Sequence, residues 1–175
     1  MTEQSLYQWP NPLFLYPDQG KKSYRMKRFR YHLRSLLHWR IIKKFERFVN
    51  QDPSLATLLN AHPNFSYPLV HRFLDKRFNT KQRFDEMCDN LTFLPKKLTA
   101  LGLPPLWQQP ISFGEVIPEF ELTLKLSEHQ PMEGFWTLEL THVPTGELIY
   151  LLTFGKVQHA LLIAVIRTLE VQKRW

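Results

Sequence analysis

The chain has 175 residues, 43% of them hydrophobic, which suffices for one domain with a core. A lone cysteine, Cys88, excludes an internal disulfide and a cysteine-rich metal centre. The formal net charge of +7 is local: residues 21–47 hold eleven Lys/Arg against one acid, +10 in all, so the remainder is −3. That distribution leaves phosphate-bearing partners in play, whether lipid headgroup or nucleic acid.

Thirteen prolines against six glycines predict short helices and stiff turns. Residues 1–23 carry Pro10, Pro12, Pro17 and Gly20 among aromatics and read as an irregular arm that packs onto the domain. Residues 24–50 read as one long helix with a buried stripe of Met26, Phe29, Leu33, Leu36, Leu37, Ile41, Phe45 and Phe48. Lys27, Arg30, Arg34, Arg40, Lys43, Lys44 and Arg47 then form the candidate anionic-surface site. The competing reading of those seven is a solvated helix face. Asp52-Pro53 starts a helix to residue 61, which Pro63 stops. A third helix is expected over 68–78, with Leu69, Phe73 and Leu74 inward. A fourth runs from Asn79 or Thr80 over 81–101, kinked or split at Pro95 and ended by Gly102. Cys88 sits in its pattern as a buried, inert thiol.

After the connector 103–110 the apolar period changes from 3.6 to 2. Residues 120–126, 136–140, 148–154 and 161–166 read as a four-stranded antiparallel meander. The fold class is therefore α+β, with a helical part at 24–102 and a strand part at 111–166 of one domain, 24–175. Residues 161–166 are apolar on both faces, so that strand is expected to be central or covered. Only the atypical tail 167–175 follows, and the sheet reads as incomplete at its C-terminal end.

The order of features resembles the VirK/YbjX family of bacterial proteins of unknown function. Leu59-Asn60-Ala61-His62-Pro63, Tyr67-Pro68, Arg72-Phe73-Leu74, Arg83-Phe84 and Phe93-Leu94 carry the resemblance, followed by the strand block from Phe120 to Ile166. His62, Pro63, Pro68, Arg72 and Arg83 are the motif positions. Relatives often carry His-Tyr where this chain has Asn90-Leu91, and they are longer, with a Gln-Gly turn where Arg167 stands. A truncated or frameshifted product is the expectation from that departure. The resemblance implies a link to virulence and to tolerance of membrane-damaging peptides in Gram-negative bacteria.

No catalytic, cofactor-binding or metal-ligating set is read from the sequence. His62 and His71 are nine apart and His32 and His38 six apart, so neither pair has metal-ligand spacing on a helix. His62 before Pro63 reads as a helix-end residue, and Glu115, Glu119 and Glu121 as a solvated strand face. Three functions stay open: a non-enzymatic envelope-stress factor acting by binding, a degenerate acyltransferase-like enzyme, and a nucleic-acid or anionic-lipid binder using 24–50. The enzyme question leans to no. The partners considered are an anionic membrane surface, nucleic acid, and a second copy meeting the uncovered sheet. The missing leader pattern and the shortness of every apolar run point to the cytoplasm.

Overall fold

The computed structural model describes residues 6–17, 20, 22–128, 131–158 and 160–168. The architecture is α+β, with helices first and a five-stranded antiparallel sheet after them. Two compact units, 1–88 and 89–175, meet in sequence inside one helix.

The first unit holds α1 (Pro12–Leu15), α2 (Lys22–Leu37), α3 (Trp39–Val49), α4 (Pro53–Ala61) and a 3₁₀ helix, Pro63–Val70. The single helix expected over 24–50 is two, because His38 leaves helical geometry (φ −108°, ψ 17°). The expected buried stripe is corrected as well. Met26, Phe29, Leu33, Leu36 and Leu37 are exposed, Leu36 at 70%, whereas Tyr31 is 2% exposed and Ile42, Phe45 and Val49 are buried. The break at His38 divides the pattern between two helices, so Phe45 of the expected stripe is buried in α3 while its α2 members Met26, Phe29, Leu33, Leu36 and Leu37 are not. The inward face of α2 is built from residues that a hydropathy pattern reads as polar. Tyr31 donates its hydroxyl to the Pro10 carbonyl (2.9 Å) and stacks between Trp9 and Tyr67, at 6.2 and 5.8 Å between ring centroids. Ser35 accepts from Trp9 Nε1 (3.1 Å).

The N-terminal arm is therefore part of the core. Tyr7 is buried, donates to Ser66 Oγ (2.6 Å), and exchanges two backbone hydrogen bonds with the Asn50 amide. Residues 1–5, 18–19 and 21 of the arm lie outside the described residues. Asp52 caps α4 through Ser54 N–H (2.9 Å), as its position before Pro53 predicts. The helix expected over 68–78 does not form. Pro63 and Pro68 hold 63–70 in a 3₁₀ helix, and Leu74 (φ 55°) and the Asp75–Arg77 turn follow. Leu69 and Phe73 are buried as expected, and Leu74 is half-buried.

Helix α5 (Thr80–Ala100) links the units. Asn79 and Gln82 cap it reciprocally, each side-chain oxygen accepting the other's backbone N–H at 2.9 Å. Pro95 neither splits it nor ends it. Gly102 (φ 70°) terminates it, and Leu103 N–H reaches back to the Leu98 carbonyl (2.9 Å).

The strands are β1 (Ile111–Ile117), β2 (Phe120–Leu126), β3 (Trp136–His142), β4 (Glu147–Val157) and β5 (Ala160–Thr168), in that order across the sheet. Four of them match the expected meander and β1 is additional. Cross-strand rows such as Leu124, Leu138, Leu152 and Ile166 share one apolar face, and Thr123, Glu139 and Leu151 alternate on the other. The Phe93 ring of α5 meets Trp136 on β3 at 6.2 Å. Contrary to the sequence expectation, β5 is not central. It is an edge strand with Leu161, Ile163 and Ile166 exposed. Of the tail 167–175, residues 169–175 lie outside the described residues.

Candidate functional site

The outward side of α2 carries Met26, Phe29, Leu33, Leu36 and Leu37, spaced so that they form one stripe. Arg25 borders the stripe on one flank and Arg30 on the other, both exposed. No Asp or Glu occurs from residue 19 to 45. Tyr31 and Ser35 anchor the opposite side of the helix, so the apolar stripe faces away from the packing of its own unit.

Six of the seven sequence-predicted cations are exposed, and their surroundings differ. Arg30 and Arg47 are exposed. The Lys27 ammonium lies over the Tyr16 and Tyr24 rings (5.7 and 5.4 Å), Arg40 over Trp39 (5.6 Å) and Lys44 over Phe84 (4.3 Å). Lys43 pairs with Glu46 (2.6 Å). Arg34 turns inward, and its Nη1 donates to the Tyr67 hydroxyl (3.0 Å).

Arg34 meets the family-motif segment there. The half-buried guanidinium of Arg83 donates to the Leu69 carbonyl (3.2 Å), the Phe78 carbonyl (3.0 Å) and Thr80 Oγ1 (3.1 Å). Both arginines therefore grip the last turn of the 3₁₀ helix, at residues 67 and 69. The His71 ring lies 5.2 Å from that of Tyr67, and its Nδ1 is buried without a hydrogen-bond partner among the described residues. Burial first, then the charges of Arg34, Arg72 and Arg83, push the His71 pKa down. His38 is shifted the same way by burial, Arg83 and Arg34, and burial and Arg34 lower that of Arg83. Motif numbering alone does not bring Arg34, His38 and His71 to Arg83.

The other motif positions have backbone roles. His62 caps α4, its N–H reaching the Leu58 carbonyl (2.8 Å), and its ring meets Phe65 edge-on (5.8 Å). Pro63 opens the 3₁₀ helix, Pro68 is buried within it, and Arg72 is exposed just after it. Cys88 is half-buried, and burial pushes its thiol up to about 12. Glu119 Oε2 lies 3.6 Å from His142 Nε2, and Glu121 accepts from Ser112.

Among the described residues no three His, Cys, Asp or Glu side chains converge to hold a metal. Among them, too, no helix is long and apolar enough to cross a membrane.

No solved structure matches the chain. A protein of Mannheimia haemolytica named "Membrane protein LapB" is 63% identical over 164 residues, covering 94% of this chain and 72% of that protein. An uncharacterized protein of Haemophilus influenzae is 54% identical over 167 residues, 95% of this chain and 57% of that protein. A second from the same organism is 22% identical over 154 residues, 86% of this chain and 53% of that protein. The chain thus spans between about half and three quarters of the length of these relatives. The model of a protein family of unknown function, DUF535, matches residues 20–168. With that match and the first two relatives, the chain belongs to the DUF535 family, the VirK/YbjX group that its motifs resemble.

Proposed function

We propose that this protein acts by binding, as a peripheral module of an anionic membrane surface that docks through the outward side of α2. The observation that carries this reading is the exposed stripe Met26–Phe29–Leu33–Leu36–Leu37 bordered by Arg25 and Arg30 in an acid-free segment. An apolar stripe with cationic flanks is the pattern of a helix lying in the headgroup boundary. Each Lys/Arg held near an anionic leaflet contributes about 1 kcal/mol. Arg40, Lys44 and Arg47, exposed on α3, extend the positive field. The name of the Mannheimia haemolytica relative agrees with a membrane setting. Surface attachment also accommodates a role in envelope stress and tolerance of membrane-damaging peptides.

Vesicle flotation tests this. The protein should float with phosphatidylglycerol vesicles at low salt, less at high salt, and not with phosphatidylcholine alone. Leu33→Glu should abolish flotation. Replacing Arg25 and Arg30 together by Gln should weaken it roughly tenfold or more. Wild-type protein that ignores anionic vesicles at low salt, or retains DNA instead, overturns the reading.

A further inference from the structure

We propose that Arg34, His38, His71 and Arg83 form a discrete site for a phosphate group, either free phosphate or a phosphomonoester. The site is separate from the apolar stripe of α2 and does not depend on the membrane reading.

Three observations carry it. First, two guanidinium groups meet one turn of the chain. Arg34 bonds the Tyr67 hydroxyl and Arg83 the Leu69 carbonyl, two residues apart in the 3₁₀ helix. Second, their hydrogen-bond partners among the described residues are neutral oxygens throughout. Other cations of the protein do find acids: Lys43 with Glu46, Arg77 with Asp75, Lys125 with Glu139, and Lys156 with Asp89. Half-buried charges without a counter-charge are costly, and an anion relieves that cost. Third, His71 adds a buried Nδ1 with no partner among the described residues, and its ring packs on the same Tyr67 that receives Arg34. His38 stands at the break between α2 and α3, and its backbone N–H reaches the Arg34 carbonyl (2.9 Å).

A clamp that only tied the 3₁₀ helix to α5 would need Arg83 alone. Arg34 offers five N–H donors and has one occupied among the described residues, which leaves a fork for a tetrahedral oxyanion. Two guanidiniums and two imidazoles match a dianion better than a carboxylate, because a phosphate presents more acceptor oxygens and charge. Arg34 comes to the site from α2, His38 from the break, Tyr67 and His71 from the 3₁₀ helix and its exit, and Arg83 from α5, with Tyr16 of the arm edge-on to Tyr67 (6.4 Å). No carboxylate is among the charges that shift the two histidines.

The test is calorimetric titration of the full chain with inorganic phosphate, and with sodium chloride at matched ionic strength. Saturable binding of phosphate alone is expected, weakened at least tenfold by Arg34→Gln and unchanged by Lys97→Gln, a charge-matched control on exposed α5 surface. In the unmodified protein, phosphate should move the His71 ring resonances and raise that histidine's titration midpoint, a readout independent of any variant's folding. Vesicles with phosphatidic acid, set against phosphatidylglycerol at equal surface charge, identify the source. Arg34-dependent preference for phosphatidic acid without binding of free phosphate assigns the site to a lipid headgroup. Leu33→Glu separates the two readings, since loss of flotation with phosphate binding retained leaves this site standing. Absence of saturable binding in both arms, or binding indifferent to Arg34→Gln, overturns the proposal.

Discussion

The Asn90 carboxamide is fully buried and serves both backbone groups of one strand residue. It accepts from Lys156 N–H and donates to Lys156 C=O, each at 2.7 Å. Lys156 itself pairs with Asp89 and lies over Phe93 (5.1 Å), so three side chains within about one turn fasten this half of α5 to β4. Truncating the amide leaves two buried backbone groups unpaired. Asn90→Ala should therefore cost about 2–4 kcal/mol in urea unfolding; a loss below about 0.5 kcal/mol would show that water replaces the amide freely. Gly134 is constrained more tightly. Its φ is 135°, and an added Cβ would sit 2.2 Å from the Phe154 carbonyl oxygen. Gly134→Ala must push apart the start of β3 and its partner strand, so we expect loss of the cooperative thermal transition rather than a small shift. The raised Cys88 thiol gives a chemical readout. Alkylation at pH 8 should be slow in the folded protein and should speed up strongly in denaturant, because the thiolate is the reacting species.

Among the elements, α2 separates two kinds of aromatic and apolar residue that look alike in sequence. Tyr31 should behave as core: Tyr31→Ala removes a buried ring and the hydrogen bond to Pro10, and should cost about 3–5 kcal/mol. Leu36→Gln on the outward side should stay within about 0.5 kcal/mol of the parent. Equal costs in chemical denaturation would return the helix to the face first expected. Where side chains announced the backbone chemistry, the fold was legible in the sequence. Asp52-Pro53 marked the start of α4, Asn79 that of α5, Gly102 its end, and alternation marked β2 and β3. It was illegible where tertiary contacts overrode the pattern. The inward face of α2 uses Tyr31 and Ser35, which hydropathy counts as surface. The 63–70 segment has helical composition, but two prolines tighten it into 3₁₀ geometry. β1 was hidden by Gly114 and by a strand exposed almost throughout. Arg34 and Arg83 were each marked in the sequence for different reasons, and only the fold brings both to residues 67–69.

Across the whole molecule, charge and apolar surface are distributed unequally between the two units. Residues 1–88 hold 16 Lys/Arg against 7 acids, a net +9, while 89–175 hold 7 against 9, a net −2. The second unit is thus weakly charged, and its sheet has two edges protected to different degrees. Along β1 the register shifts twice, around Glu115, and Gly114 takes a positive φ, which bends that edge away from regular pairing. β5 is less defended: its register shifts once, between Val165 and Ile163, but residues 160–166, ALLIAVI, contain no charge, no proline and no glycine, and Leu161, Ile163 and Ile166 are exposed. An uncharged apolar edge strand at the end of a sheet is a template for another strand, and the same strand of a second copy is always at hand. We therefore expect concentration-dependent self-association of the 175-residue chain in sedimentation velocity, driven by β5 pairing and insensitive to the salt that weakens vesicle binding. Placing a charge at the centre of that edge, as in Ile163→Lys, should restore the monomer while the far-ultraviolet signature of the sheet is kept. A chain that sediments as a monomer at every concentration, or an Ile163→Lys variant that associates as the parent does, would remove β5 as the contact.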